Sequence, residues 1–357
     1  MPTRKTKRTA FFLSLLVMTG LVVSLSPGAA AQYTQLNIVS DVSGKALSTD
    51  SNLRNGWGLA FFPTSPFWVS DNDTGVSTLY SHFNKLPLVV TVPIAPTNPF
   101  NGPVGSPAGI VANSTSGFVV SANGNSGPAP FLFSTLDGTI SGWNPSVDPT
   151  HAIVAIDNSA SFAVYTGLAL GTIGNNTFLF AADANNNLID VYDSSFNLVN
   201  SFTDLTAPAG TGVYGVQNIG GQLYVTFANI VPLQGGAVDV FGTDGTFIKR
   251  LSTNGPGGPL EGPWGVAMAP ANFGPASNKL LVGDVDDGHI NILDPSSGAF
   301  LGQLKDAKGQ RFTIGGLWAL AFGAGNVANG ATNQLFFTAG PTNYVHGLFG
   351  VILPPQH

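Results

Sequence analysis

The 357-residue sequence has no cysteine, which excludes disulfides, thiolate metal centres and a lipidated cysteine. Charge is scarce as well, at 9% Asp, Glu, Lys and Arg together. Beyond the first 25 or so residues, no stretch repeats apolar positions at i, i+3, i+4 and i+7 for ten residues, so a helical fold is excluded. None of the five histidines (His82, His151, His289, His346, His357) forms an H-x-x-x-H pair, and no zinc motif is present. There is no G-x-S-x-G elbow, although a spatially assembled triad needs no such motif. The glycines of "NGPGGP" (254–259) open no helix after a strand, so this stretch is a loop and not a phosphate cradle.

The chain begins with Arg4, Lys5, Lys7 and Arg8, then an apolar run from Ala10 to about Leu25, then "SPGAAAQ". This pattern predicts a secretory signal peptide over residues 1–31, with Ala29 and Ala31 in the small positions and cleavage before Gln32. The run is shorter than the roughly 20 apolar residues a membrane anchor needs and is broken by Thr19, Gly20 and Ser24. A Sec-type export route to a periplasm or the exterior is expected, with no membrane span after cleavage. The leader carries four of the 13 Lys and Arg and no acid, so nine bases remain against 19 acids, a net charge of −10. Such a surface argues against nucleic acid as a partner.

What is abundant is Gly (45) and Pro (25), with Ser, Thr and Asn around short runs of Val, Leu, Phe and Ile. That composition is all-β with many turns. "GWGLAF" (56–61) recurs as "PAGIVA" (107–112), "YTGLAL" (165–170), "VYGVQN" (213–218), "PWGVAM" (263–268) and "LWALAF" (317–322). The anchors Gly58, Gly109, Gly167, Gly215, Gly265 and Ala319 lie 48 to 58 residues apart. A second strand follows each anchor: "PFWVSD", "GFVVSA", "TFLFAAD", "QLYVTFA", "KLLVGD" and "QLFFTA". Third strands such as "LIDVYD" and fourth strands such as "GTFIKRL" complete the unit. Four strands per repeat at this period define propeller blades, and six copies define six blades. "YTQLNIV" (33–39) precedes the first anchor and is assigned as the outer strand of the last blade, closing the ring. Residues 32–357 thus read as one six-bladed β-propeller domain, expected to be a monomer. Glycine at each anchor lets the innermost strands approach closely around the axis.

The Gly-containing first strand, the "LYVAD"-like second and the "I.VFD"-like third resemble NHL-type six-bladed propellers over nearly all of residues 33–353. Phrases such as "PFWVSDNDTGVSTLY", "FLFSTLDGTISGWNP", "KLLVGDVDDGHIN" and "GLWALAFG" are similar to an uncharacterised family of exported bacterial propeller proteins. That resemblance implies fold and export, and no activity.

Just before each anchor stand Trp57, Ala108, Thr166, Tyr214, Trp264 and Trp318. In a propeller this position lies near the channel mouth, where aromatic rings can stack on a sugar or clasp an apolar ligand, or simply plug the axis as core. We take Trp57, Tyr214, Trp264 and Trp318 as candidate ligand anchors. Calcium-dependent lactonases and gluconolactonases of the related six-bladed class hold a metal near this mouth. The resemblance puts Glu261 of "EGPW" where their Glu stands, with Asn55 in partial support. Trp57, Ala108, Thr166 and Tyr214 fill the positions where oxygen ligands are needed. Asp71, Asp183 and Asp284 begin D-x-[DN] steps with Asp73, Asn185 and Asp286, while Ala122, Ala228 and Ala339 occupy the alternate blades. These loops begin as calcium loops do but lack the later Gly and acid, so turn chemistry is the simpler reading, with Gly75 and Gly288 completing it.

The sequence therefore points to an exported, non-enzymatic binding or scaffolding propeller. Its expected partner is a small molecule, a glycan or a cell-envelope protein. No cofactor is expected, and calcium is the one the acidic loops leave open. The alternative is a calcium-dependent lactonase-like hydrolase using Glu261 and Asn55 at the channel. A third reading is a structural envelope protein making contacts through its Thr, Ser and Asn loops.

Overall fold

The computed structural model describes residues 33–81, 83–96 and 104–355, so the expected signal peptide lies outside the described residues. Apart from two single-turn 3₁₀ helices, Ser159–Ser161 and Gly274–Ala276, the regular structure is all strand. Six antiparallel sheets follow one another along the chain, and each starts at one of the six anchors. Blade 3 shows the plan, with Tyr165–Ile173 innermost, then Asn176–Asp183, Leu188–Tyr192 and Leu198–Phe202.

Exposure is concentrated in the outermost strands, because the strands inside them are covered on both faces by neighbouring blades while an outer strand meets water. Leu280–Asp284 is buried throughout, whereas Leu198–Phe202 is almost wholly exposed. This explains the continuous apolar runs where a one-sided sheet would alternate. The apolar core is divided into one cluster in each gap between blades. Phe180, Val191, Val216 and Phe227 fill the gap between blades 3 and 4. Val238, Leu251, Val266 and Leu280 fill the next gap. Each blade is thus held by its neighbours rather than by a single central core.

The ring closes as the sequence indicated. Thr34–Ser40 pairs antiparallel with Leu348–Leu353 and becomes the outer strand of the last blade. Ser48–Thr49 adds a short parallel edge beside it. Tyr33 clamps this strand to blade 5, its hydroxyl donating to the Phe273 carbonyl at 2.7 Å and accepting from the Ala276 amide at 2.9 Å.

Blade 2 departs from the expected pattern. Its second strand is Phe131–Thr135, followed by Thr139–Trp143, so "FLFSTLDGTISGW" is two strands. The expected second strand "GFVVSA" instead lies in an inserted hairpin, Val119–Ala122 with Asn125–Pro128. The turn of that hairpin is Asn123–Gly124, both left-handed (φ 52° and 81°), the pairing a tight two-residue hairpin requires. Ala122 accordingly does not occupy the position of the blade aspartates. Thr135, paired with Pro107, does.

In all six blades the inner strand carries one extra residue against its partner around the anchor, a β-bulge. The register slips between Gly56 and Leu59, Tyr165 and Gly167, Val213 and Gly215, Pro263 and Gly265, and Leu317 and Leu320. In blade 2 it slips opposite Phe133 and Thr135. A bulge leaves a residue unpaired and re-aims its side chain. The aromatic positions are therefore set by backbone register.

At the anchors, backbone meets backbone. A Cβ on Gly265 would collide with the Trp318 carbonyl and lie 3.0 Å from the Leu320 amide, while one on Gly167 would meet nothing nearer than the Val216 amide at 3.2 Å and Gly215 Cα at 3.3 Å. Gly265→Ala should therefore destabilise the protein by about 2–3 kcal/mol and Gly167→Ala by less than about 1 kcal/mol in denaturant unfolding. Equal losses would refute close strand approach as the reason for glycine at the anchors.

Candidate functional site

The bulges direct Trp57, Ala108, Tyr214, Trp264 and Trp318 to one end of the channel, where Leu136 and Val285 complete a seventh apolar cluster. Trp318 is its centre. It stacks on Trp57 with ring centroids 3.5 Å apart, and meets Trp264 edge-on at 5.9 Å and Tyr214 at 6.0 Å. Trp57 and Trp318 are 6% and 2% exposed, so they form a floor across the axis rather than free platforms. The indole N–H of Trp318 donates to Asn55 Oδ1 at 3.0 Å, and that of Trp264 to the Thr166 carbonyl at 3.2 Å. The indole nitrogen of Trp57 is buried without a hydrogen-bond partner.

Above this floor opens a basin of about 750 Å³. Of the four aromatic anchors, Trp57, Tyr214 and Trp318 line it. Trp264 lies below them and lines the constriction of about 40 Å³ at the anchor glycines. Past the constriction the channel widens to about 420 Å³, lined by downstream inner-strand residues such as Leu59, Leu168, Val266 and Leu320.

One aromatic lining residue was missed by the sequence reading. Tyr344, 38% exposed, stands at the basin with its ring 5.6 Å from Trp318. It belongs to the turn after the second strand of blade 6, where Thr342, Asn343 and Tyr344 are all left-handed (φ 59°, 53° and 68°). Such a conformation costs about 1–2 kcal/mol for each ordinary residue. The turn is pinned nonetheless, by amide bonds from Tyr344 to Gly340 (3.0 Å), Val345 to Thr342 (3.3 Å) and His346 to Pro341 (3.2 Å). The ring positions of the repeat do not encode Tyr344. The only signal in the sequence is "GPTNY", a turn-forming run ending in an aromatic.

The candidate metal ligands do not converge on one point, and most hold protein groups, although both Asp71 oxygens and Asp284 Oδ1 are buried without a hydrogen-bond partner among the described residues. Both Glu261 oxygens accept backbone amides, from Gly235 at 2.9 Å and Gly257 at 2.6 Å, so its carboxylate clamps two loops. Asn55 Nδ2 points at Asn72 and at the exposed Asp73, both at 3.4 Å. Asp183 accepts the amides of Val164 and Asn186, both at 3.1 Å. Asp284 accepts from Asn291 Nδ2 at 2.6 Å. Asp286 Oδ2 accepts the Leu233 amide at 2.8 Å and lines the basin. Asp71, Asp183 and Asp284 close turns in three different blades. Among the described residues no three His, Asp or Glu side chains come together as a metal site.

Asp71 and Asp284 are fully buried. Burial pushes both well above the usual carboxylate range, with Thr78 only partly offsetting it at Asp71 and the Asp287 charge adding to it at Asp284. The folded state therefore holds these protons more tightly than the unfolded chain. The two carboxyls stabilise the fold fully below the ordinary value of 3.8, and that contribution is lost as pH rises through their folded pKa values. Asp71→Asn and Asp284→Asn should therefore raise the melting midpoint at neutral and alkaline pH, with the gain vanishing in acid. A gain independent of pH would contradict the assignment.

The fold and this axial site define a six-bladed β-propeller. No family model matches the chain. It is 30% identical over 354 residues to an uncharacterised protein of Acanthamoeba polyphaga mimivirus, covering 94% of the chain and 84% of that protein. A second uncharacterised mimivirus protein is 30% identical over 346 residues, covering 92% and 87%. The chain belongs to the family these two represent. They give no support to the expected bacterial, exported origin, and the NHL-like resemblance rests on the repeat phrases alone. Among solved structures, a glucose dehydrogenase matches with TM-score 0.52 at 12% identity, covering 89% of this chain and 98% of that one. A streptogramin B lyase matches with TM-score 0.50 at 12% identity, covering 91% and 99%. At such identities these likenesses concern the fold alone. Among the described residues no helix is long and apolar enough to cross a membrane.

Proposed function

We propose that the chain is a non-catalytic binding propeller that takes a small organic ligand in the aromatic basin. The observation that carries this reading is the strained turn that brings Tyr344 over a floor already closed by Trp57 and Trp318. Axis packing needs no such turn, and strain of this kind persists where function retains it. The rim adds apolar surface at the same end. Ile230, 92% exposed, lines the basin, and Val231 and Leu233 are exposed beside it.

The lining chemistry favours recognition over reaction. Among the described residues, the basin's titratable groups are Asp286, Tyr214 and Tyr344, and no His, Lys, Arg, Ser or Thr lines it. The His and Lys bases and the Ser, Thr and Lys nucleophiles that acid–base and nucleophilic catalysis most often use are thus missing from its lining. Burial pushes the Tyr214 hydroxyl far up, away from the range useful for proton transfer.

The test is a thermal-shift panel of neutral sugars, aromatic metabolites, ammonium compounds and calcium, on wild type and on Tyr344→Ala. We expect at least one organic compound to raise the wild-type midpoint saturably, and Tyr344→Ala to fold but lose most of that shift. A shift from calcium alone, or an organic ligand indifferent to Tyr344, would overturn the reading.

A further inference from the structure

We infer that the basin recognises an organic cation, an alkylated ammonium head placed between the rings of Tyr214 and Tyr344 and the carboxylate of Asp286. The inference rests on the binding reading above and names the ligand's chemistry. Tyr214 and Tyr344 both line the basin, each about 6 Å from Trp318, and among the described residues neither hydroxyl has a hydrogen-bond partner. Asp286 is half-buried in the wall of the same basin, and its charge acts on both tyrosines. Its Oδ2 holds the Leu233 amide, while Oδ1 makes no hydrogen bond among the described residues. No lysine, arginine or histidine among the described residues lines the basin, so this carboxylate has no countercharge there. Its carboxylate neighbours are Glu261 and Asp287, which make the local field more negative still.

Aromatic rings around an uncompensated carboxylate attract a cation through the ring quadrupoles and the charge together, most strongly where water is partly excluded. A polyol fits the same walls less well, because it needs many free hydrogen-bonding groups. Asn55 and Asn72 are spent inside the protein, on Trp318, on each other and on the Pro107 carbonyl. Asn229 accepts the Val231 amide. What remains is aromatic surface, the amide groups of Asn185 and Asn229 Nδ2, and one carboxylate, the single charge on the lining, so the walls suit an ammonium head better than a polyol that needs many partners.

The test uses choline, hexyltrimethylammonium and the neutral choline isostere 3,3-dimethyl-1-butanol, titrated into the protein by calorimetry and tryptophan fluorescence. Both cations should bind saturably, and the neutral isostere at least roughly tenfold more weakly. Asp286→Asn keeps an acceptor for the Leu233 amide and should retain the wild-type melt. It should weaken choline binding by roughly tenfold, and Tyr344→Ala should weaken it by roughly fivefold. Equal binding of the isostere, or unchanged affinity in a folded Asp286→Asn, would overturn the cation assignment while leaving a binding basin in place. A neutral sugar that binds through Tyr344 where neither cation does would do the same. Silence from both cations and from the whole panel would remove the cation assignment and the binding reading together.

Discussion

Everything in this molecule depends on how closely six inner strands approach one another around the axis. At Gly58, Gly109 and Gly265 the next blade's backbone, or a backbone-close side chain, lies where a Cβ would stand. A strand that close cannot keep an uninterrupted ladder with its own neighbour. Each inner strand bulges at the anchor, and the extra residue swings to the axis. The aromatic floor is therefore a geometric consequence of ring closure, and the sequence selects only which rings fill it.

The same approach is stitched by hydroxyls. Ser134 accepts the Gly109 amide at 3.1 Å and donates to the Tyr165 carbonyl of the next blade at 3.2 Å. Thr338 accepts the Ala319 amide at 3.1 Å and donates to the Trp57 carbonyl across the closing gap. In blade 3 the task passes to Thr166, which donates to the Tyr214 carbonyl at 2.6 Å. A bulge disrupts ladder bonds, and a buried amide left unpaired costs about 1–3 kcal/mol, so these hydroxyls do locally what the ladder cannot. With cores lying between blades and polar ties around the axis, the chain needs neither disulfides nor many surface charges to hold its ring.

How far the sequence discloses this follows from what repeats. The anchors, the blade number and the closing strand Thr34–Ser40 were legible because each rests on a pattern repeated six times or on its one missing member. Blade 2 was misread because an inserted strand pair, Val119–Ala122 with Asn125–Pro128, has the apolar character of the strand it displaces. The distinction lies in pairing, which composition does not record. Glu261 stood where a resemblance suggested a metal ligand, but the amides of Gly235 and Gly257 approach it from loops whose paths the sequence does not fix. Trp264 was grouped with the other anchor aromatics, although it lines the constriction beneath them. Tyr344 was invisible because it belongs to a single loop and to no repeat.

That contrast separates fold from function within the site. Trp57, Trp264 and Trp318 answer a need the ring imposes, since an open axis between close-packed strands would leave their neighbours without contacts. A propeller with no ligand could carry the same three rings. Tyr344 answers no such need: three successive left-handed residues hold a half-exposed ring over a floor that is closed without it. Asp286 is similar, being half-buried with one oxygen unbonded, whereas its near neighbour Glu261 is fully engaged by loop amides. The strained turn and the uncompensated charge both line a basin above a floor the architecture already supplies, and these added groups are what the proposed binding reading rests on. Together with Tyr214 of the repeat, Tyr344 and Asp286 are the groups that the proposed cation would meet.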